Sequence, residues 1–432
     1  MPRTRSRPDA CPGAWRRHDA ADGALARFRP VGGATTATEL RLLAGAAASG
    51  GSPIELTSRG SWQVRGLAGT TADDLADALR SDRPDALVDL LGRDVPCSII
   101  ASPRSGAVDP VAGAVADGLR GRVDVPGRLL VAIEDWSAAS SVRGGSERSR
   151  GTRVPLTPEG GAGGAGAGDV SGQGGDVTVV INGPSSGSPT PADPDEGLLD
   201  RATEHADRGS AALLLDGIDT GLRHADPAAL ALAAVDAFTA HRGSAWRVRE
   251  LDDAARAAVL AALREVTTPG VGKTDAGPAD PTRLGADGTT LEVLPRLGEV
   301  DLPTVMALLE LMDRGATLRA TPWRTLVLRD APHDAVEHLT GLVETDPASR
   351  WRGVSACVGA PRCRKSLSDV RGDLASAVAS GHVGGQVRQH WVGCGRACGT
   401  PGGRVAVIEA VPRTQETSGT YRTVVRSGKV NG

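Results

Sequence analysis

Four of the six cysteines lie in the last fifth of this 432-residue chain, grouped as two close pairs. They are Cys357 and Cys363 in the run ACVGAPRC, and Cys394 and Cys398 in the run VGCGRAC. Four thiolates supply one sulfur to each iron of a 4Fe-4S cluster. Glycines beside them let the backbone turn tightly, so that its N–H groups can approach inorganic sulfides; these are Gly359, Gly393, Gly395 and Gly399. The pattern predicts a redox protein that carries a cluster.

Two other readings of the four cysteines stay open. A structural zinc ion also takes four cysteines, although its pairs are usually closer than the C-x5-C spacing seen here. Disulfides are the second alternative, but nothing else in the sequence indicates an oxidising compartment. The remaining cysteines differ in setting: Cys97, in the apolar run VPCSII, is predicted to be a small buried residue, and Cys11 fits either description.

Composition and charge exclude several classes of protein. The formal net charge of −3 argues against a general binder of nucleic acid or membrane surfaces. The basic N-terminus is not followed by an apolar run, which argues against a signal peptide. No apolar stretch reaches the length that spans a bilayer. We therefore expect a cytoplasmic protein with no nucleic-acid partner and no membrane partner.

Two distant segments share one order of predicted elements, strand–helix–strand–strand. They are residues 23–67 and 288–328, and they align at an offset of about 264 residues. The predicted helix N-caps are Thr38 in the first copy and Asp301 in the second. Two copies so far apart exclude a solenoid and indicate a duplicated domain.

The rest of the chain is predicted to form α/β segments with one long insertion. Residues 127–135 and 211–217 are predicted to be buried strands, and residues 227–241 and 252–266 to be helices. The insertion, near 137–175, is rich in Gly and Ser and cannot bury a core, so it is predicted to be disordered. The predicted domains are a first half-domain (10–80), an α/β domain (85–265), a second half-domain (284–345) and a C-terminal cysteine-bearing domain (346–432).

Arginines stand at the ends of predicted strands in three places. They are Arg59 and Arg65 in the first copy, Arg319 and Arg324 in the second, and Arg104 and Arg128 in the α/β segment. The planar guanidinium binds carboxylates through two hydrogen bonds, so converging arginines suit a polycarboxylate ligand. The alternative is a solvated arginine face, since this chain is rich in arginine. Among the histidines, His390 is distinguished by its proximity to the second cysteine pair.

Taken together, the two β-α-β-β copies and the cysteine pairs resemble the nitrite/sulfite reductase superfamily. Within it, the chain is most similar to the precorrin-3B synthases. The resemblance rests on ACPGA (10–14), DGALARFR (22–29), ELTSRGSWQVRGL (55–67), TPWRTLVL (321–328), WRGVSACVGAPRCRKSLSDVR (351–371) and HWVGCGRACGTP (390–401). It implies an α+β fold in which two ferredoxin-like half-domains are paired with two α/β domains of the nitrite/sulfite reductase type.

The resemblance also implies an activity and its cofactors. The family is a monooxygenase of aerobic cobalamin biosynthesis, which converts precorrin-3A to precorrin-3B with dioxygen and reducing equivalents by hydroxylation and lactone formation. It implies a 4Fe-4S cluster on Cys357, Cys363, Cys394 and Cys398, a mononuclear non-haem iron, and a tetrapyrrole polycarboxylate as substrate. The electron donor would be NADH-linked or ferredoxin-like. The implied substrate-binding residues are Arg59, Arg65, Arg128 and Arg324; no catalytic residue is assigned.

Two rival functions remain. The first is a sirohaem-dependent sulfite or nitrite reductase, which uses the same cluster and surrounds its anion with lysines as well as arginine. This chain has just three lysines, which are Lys273, Lys365 and Lys429. The second rival is a non-catalytic protein in which zinc or an iron-sulfur cluster has a structural role.

Overall fold

The computed structural model describes residues 17–82, 97–136, 175–181, 210–270, 282–383, 388–401, 405–412 and 421–426. The strands in these ranges are β1 His18–Ala20, β2 Gly23–Phe28, β3 Ala34–Thr35, β4 Ile54–Leu56, β5 Trp62–Leu67, β6 Ser98–Ala101, β7 Leu130–Asp135, β8 Val177–Ile181, β9 Ala211–Leu215, β10 Ile218–His224, β11 Thr268–Pro269, β12 Gly285–Asp287, β13 Thr290–Val293, β14 Glu299–Val300, β15 Thr317–Ala320, β16 Leu326–Arg329, β17 Val354–Ala356, β18 Arg388–Val392, β19 Val405–Ala410 and β20 Tyr421–Arg426. The helices are α1 Ala37–Ser49, α2 Gly69–Asp82, α3 Val108–Leu119, α4 Pro227–His241, α5 Asp253–Arg264, α6 Leu302–Asp313, α7 Ala335–Leu339 and α8 Val370–Ala379.

The chain divides into two compact units. One consists of Met1–Ala10 with Val95–Pro281, and the other of Cys11–Asp94 with Thr282–Gly432. The second unit therefore contains both predicted half-domains and all four C-terminal cysteines. Most of the predicted insertion (137–174) and Cys11 lie outside the described residues.

The first unit is built on a six-stranded sheet in the order β11-β10-β9-β8-β7-β6. Strands β6, β7 and β8 run parallel, whereas β9 and β10 form an antiparallel hairpin. Helix α4 packs against β8 and β9 and contacts α3 and α5. The predicted strands and helices of this region are all present, and Cys97 is buried as predicted, with 2% of its surface exposed.

A buried ion pair joins β7 and β8 to the chain that follows α4. Asp176 is fully buried and accepts hydrogen bonds from the backbone N–H groups of Leu130 and Val248, both at 3.0 Å. Arg247 Nε donates to both of its carboxylate oxygens at 3.1 and 3.0 Å. Burial raises the pKa of Asp176 to about 6, although Arg247 and the backbone donors oppose this effect.

The second unit contains the duplicated domain. The two sheets have the orders β1-β2-β5-β4-β14 and β12-β13-β16-β15-β3, so each copy contributes one short strand to the sheet of the other. Strand β14 pairs with β4, and β3 pairs with β15. One hydrophobic core runs through both copies, with Leu40 and Trp62 from the first and Leu308 and Leu328 from the second. The two copies therefore fold as a single body.

The same turn occurs in both copies at the predicted offset. Thr57 N donates to Ser61 O at 2.9 Å, and Thr321 N donates to Thr325 O at 3.0 Å. In each turn the threonine hydroxyl also accepts from the backbone N–H four residues on, at 3.2 Å and 3.0 Å. Thr57 and Thr321 are 264 positions apart, as are Ser61 and Thr325, so the alignment of the two copies is confirmed.

One of the two predicted helix caps is wrong. Helix α1 is capped by Thr36, whose hydroxyl accepts from Glu39 N, while the Glu39 carboxylate accepts from Thr36 N. This reciprocal pair is a capping box, and it places Thr38 inside the helix. In α6 the predicted cap is confirmed, because Asp301 accepts from Thr304 N at 3.0 Å.

The cysteine-bearing segment forms a four-stranded sheet in the order β17-β18-β19-β20. The first three strands run parallel and β20 is antiparallel to β19. Helix α8 packs on β17 and β18. Within the described residues, no helix combines the length and apolar character that crossing a bilayer requires.

Candidate metal centre

The two cysteine pairs lie at one edge of this C-terminal sheet. Cys357 directly follows β17, and Cys394 comes two residues after β18. These two strands are parallel neighbours, so their carboxyl ends meet at the same edge. Cys357 N donates to Trp391 O at 2.9 Å, which extends the ladder, and Gly393 N donates to Cys357 Sγ at 3.4 Å. The sheet topology thus brings together two loops that are distant in sequence.

The loops pack so closely that one position admits only glycine. A Cβ atom on Gly393 would lie 1.7 Å from Ser366 Oγ, and Leu367 N donates to Gly393 O at 2.8 Å across the same contact. The loop after β17 is closed by Cys363 N, which donates to Gly359 O at 2.8 Å. The sequence prediction that glycines allow the cysteine loops to fold tightly is confirmed at Gly393.

The thiols influence one another electrostatically. Burial raises the pKa of the Cys398 thiol, and negative charge on Cys357, Cys394 and Cys363 raises it further. Thiolates that influence one another in this way repel each other, and metal binding removes this repulsion by supplying positive charge while it releases the thiol protons. The donor set therefore fits an iron-sulfur cluster.

The spacing of the side chains bears on the kind of metal centre. Among the described residues, no three His, Cys, Asp or Glu side chains converge as ligands of one metal ion. Zinc requires four ligands around a single point, whereas a 4Fe-4S cluster takes one sulfur at each of four separated irons. In those ranges there is accordingly no ligand set for the mononuclear iron that the resemblance implies.

His390, on β18, holds the second cysteine loop from inside the sheet. Its side chain is fully buried, with Nδ1 2.8 Å from Ser355 Oγ and Nε2 2.9 Å from the Cys398 carbonyl oxygen. Burial lowers the pKa of His390 to about 4, and the positive charge of Arg324 adds to this effect. The ring is therefore neutral near pH 7; Nε2–H donates to the Cys398 carbonyl, and Nδ1 accepts from Ser355.

Arg324 approaches the same loop from the second half-domain copy. Its backbone is left-handed, with φ +66°, a conformation that strains a residue with a side chain. One of its Nη atoms and the His390 ring both border Gly399, at 3.8 and 3.7 Å from where a Cβ would stand. Burial lowers the pKa of Arg324, as does the positive charge of Arg371, while Glu55 opposes them. A strained, desolvated cation thus lies beside the loop that carries Cys398.

The other predicted arginines have different surroundings. Arg65 forms a bidentate ion pair with Asp22, with both N···O distances at 3.0 Å. Its guanidinium group is therefore already paired with a carboxylate of this chain. Arg59 lies in the duplicated turn, half-buried. Arg128 belongs to the other unit, where its guanidinium carbon lies 4.9 Å from the centre of the Trp246 ring. The ligand contacts of these three residues, and the ligand role of the four cysteines, remain predictions.

Sequence reasoning missed a group of charged residues beside the first cysteine pair. They are Glu55 on β4, Glu299 on β14, Arg362 in the loop between Cys357 and Cys363, and Arg371 on α8. Glu55 and Arg362, for example, lie 307 positions apart in the chain. In a chain with this much arginine, no local pattern marks these members out.

Comparison with known protein families gives a match to one segment of the chain. Residues 18–82, from β1 to α2, match the family described as the nitrite/sulfite reductase ferredoxin-like half domain. The chain contains one such half domain by sequence, and the structure shows a second copy of the same topology. This match supports the predicted resemblance to the nitrite/sulfite reductase superfamily over that segment.

A solved structure extends the likeness to almost the whole chain. It is described as the structure of the Mycobacterium tuberculosis NirA protein; the TM-score is 0.62 at 17% identity, over 95% of this chain and 76% of that one. At this identity the likeness shows the fold, and it confirms the predicted α+β class with paired half-domains. No curated protein sequence matches the chain.

Proposed function

We propose that this chain is an oxidoreductase that acts on a tetrapyrrole polycarboxylate with a 4Fe-4S cluster held by its four C-terminal cysteines. In its finer form, the proposal is a monooxygenase of the precorrin-3B synthase type. The observation that carries it is the meeting of both cysteine loops at one sheet edge, beside a duplicated half-domain of the nitrite/sulfite reductase family. The fold shared with NirA supports the same superfamily.

In this proposal each part of the site has a separate task. Cys357, Cys363, Cys394 and Cys398 hold the cluster, which supplies single electrons when bound. His390 keeps the Cys398 backbone in place through a neutral hydrogen-bonded ring. Arg324 offers a desolvated positive charge in the same region, suited to a carboxylate of the substrate. Arg59, in the same unit, is proposed to bind a further carboxylate, which would help to orient the macrocycle.

Side-chain chemistry favours the synthase over a sulfite or nitrite reductase. Reduction of these anions consumes several protons, and lysine is a side chain that can deliver them. Arginine stays protonated at any ordinary pH and cannot serve as a proton donor. With three lysines in the whole chain, the basic groups available are almost all arginines, which suit binding of carboxylates.

The second candidate is a sirohaem-dependent sulfite or nitrite reductase. The observation that favours it is the structural likeness to NirA, which extends over 95% of the chain. The two candidates share the half-domain pair and the cysteine loops, so the fold does not separate them.

A turnover experiment separates them. The full chain, purified anaerobically, is given precorrin-3A, isotopically labelled dioxygen and a reductant, and in parallel sulfite or nitrite with reduced viologen. The proposal predicts a tetrapyrrole product that carries labelled oxygen, lost in Cys394→Ser and kept in Cys97→Ser, since Cys97 is buried in the other unit. Viologen oxidation by sulfite or nitrite without a labelled product would instead establish the reductase.

A further inference from the structure

The strand junction between the two half-domain copies places two carboxylates face to face. Glu55 on β4 and Glu299 on β14 are direct partners in the antiparallel pair. Their side chains are 8% and 27% exposed, so water screens the repulsion between them only in part. Like charges directly opposite each other destabilise a strand pair. This junction therefore needs positive charge from elsewhere in the chain.

Arginines of the cysteine-bearing segment supply that charge. Arg371 Nη2 lies 3.0 Å from Glu55 Oε1, and its Nη1 binds Glu299 Oε1. Arg362 Nη1 lies 3.4 Å from Glu55 Oε1 and 3.5 Å from Glu299 Oε1. Each arginine thus spans both carboxylates. We call these four side chains the latch: Glu55, Glu299, Arg362 and Arg371.

The same arginines are tied to the first cysteine pair. Arg371 Nε donates to the Cys357 carbonyl oxygen at 3.2 Å. Arg362 directly precedes Cys363 in the chain. The latch therefore fixes the backbone at both ends of the loop that presents these two thiols.

The second strand junction between the two copies can be compared with the one that carries Glu55 and Glu299. At the equivalent junction in the other sheet, β15 pairs with β3, and Arg319 stands opposite Ala34. Strand exchange between the copies therefore does not itself require two facing carboxylates. The acidic pair occurs at the junction that the cysteine-bearing segment contacts, which indicates that its role concerns that segment.

We propose that the latch docks the cysteine-bearing segment on the half-domain pair and sets the charge beside the first cysteine pair, so that it tunes and retains the cluster. This inference rests on the proposed function. The two Glu and two Arg charges sum to zero. Replacing Arg371 with Gln leaves a net negative charge next to Cys357, which disfavours an added electron; replacing Glu299 with Gln has the opposite effect.

The test uses the full chain with R371Q, R371K, E299Q and the double variant R371Q/E299Q. The control is R364Q, because Arg364 is an exposed arginine next to Cys363. Two quantities are measured on the cluster-loaded protein: the midpoint potential by EPR-monitored titration and the rate of iron release to a chelator. The third quantity is the coupling energy between R371Q and E299Q. It is obtained from thermal unfolding of the two single variants and the double variant after the metal has been removed.

The shifts in midpoint potential are expected to have opposite signs in R371Q and E299Q, and general destabilisation of the protein cannot produce opposite shifts. The potential should fall in R371Q and rise in E299Q, and iron release should be about 10-fold faster in R371Q, as for other groups that orient metal ligands. R371K keeps the charge but cannot span three acceptors, so its potential stays near that of the wild type while its iron is released faster. R364Q should change both quantities far less, since water screens its charge.

Potential shifts of the same sign in R371Q and E299Q, or no coupling between them, would overturn the proposal. A wild-type protein that assembles neither iron nor sulfide would overturn the proposed function and the tuning part of this inference. In that case the coupling in metal-free protein still decides whether the latch docks the segment. The two failures are therefore distinguishable.

Discussion

Gly60 and Arg324 occupy the same position in the two copies of one turn, and both have a left-handed backbone, with φ +63° and φ +66°. They are 264 positions apart, as are the threonines that begin the turns. Glycine adopts this conformation without strain, whereas arginine does so at a cost. The two copies therefore share the turn, while the second copy has a strained, desolvated cation beside the Cys398 loop.

This relationship predicts that Arg324 has been kept for function at the expense of stability. Arg324→Gly should raise the free energy of unfolding by about 1 kcal/mol, because the left-handed strain disappears. If the proposed function holds, the same change should weaken binding of the proposed tetrapyrrole polycarboxylate. Chemical denaturation and a binding titration on one preparation measure both effects. Arg324→Ala is the matched control, since it removes the charge but keeps the strain; equal stability of the two variants would contradict the account.

A second prediction concerns the contact between the cysteine loops. Gly393→Ala should abolish cluster assembly, because the new Cβ would stand 1.7 Å from Ser366 Oγ and push the loops apart. Iron and sulfide content per chain measures the effect. Gly395→Ala is the control: its Cβ would meet the flexible end of the Glu409 side chain at 3.2 Å, and it should assemble normally. Normal iron and sulfide content in Gly393→Ala would show that the loops are not packed as described.

His390 provides a third prediction. His390→Leu removes a buried donor and a buried acceptor together, leaving the Cys398 carbonyl and the Ser355 hydroxyl without their partner. Both hydrogen bonds are only partly buried, and Ser355 Oγ still reaches the Gln389 carbonyl oxygen at 3.4 Å, so the loss is about 1 kcal/mol. The variant should therefore be less stable and should lose iron faster. His382→Leu, at an exposed position, should have neither effect. Unfolding curves and iron release to a chelator test this, and wild-type iron retention in His390→Leu would contradict it.

The first unit gives a pH prediction that is independent of any metal. Burial raises the pKa of Asp176 to about 6 in the folded chain, above its ordinary value of 3.8. Between these values the native state holds the proton longer than the unfolded state does, so stability falls as pH rises from about 4 to about 6. Asp176→Asn has no proton to lose there. Urea denaturation of both proteins should show wild-type stability falling relative to the variant over this window; parallel pH profiles would refute the raised pKa.

Much of the half-domain architecture was predictable because its signals are local. Apolar periodicity and the Asp301 cap identify α6 and its flanking strands without knowledge of the fold. The wrong cap in α1 also had a local signal: Thr36 and Glu39 form the capping-box spacing, and Thr38 does not. The exchanged strands β3 and β14 were not predictable, since two residues are too few to show a strand period.

The residues of the candidate site were likewise predictable only in part. The four cysteines were predicted from their spacing, and their ligand role stays a prediction; His390 was singled out for its position next to them. The latch was not found, because Glu55 and Arg362 meet only through the pairing of distant strands. Among the predicted arginines, Arg65 has a sequence context like that of Arg59, yet in the fold it is paired with Asp22. Residues that form ion pairs across a fold are not marked by any periodicity in the sequence.

The central claim is that the two cysteine loops hold a 4Fe-4S cluster, and metal analysis of anaerobically purified protein tests it most directly. Iron, zinc and acid-labile sulfide are quantified together with the absorption and EPR spectra. The account predicts about four acid-labile sulfides per chain with at least as many irons, and a broad cluster absorption that is lost in Cys394→Ser. Zinc without sulfide would contradict it, and the oxidoreductase proposal would fall with it.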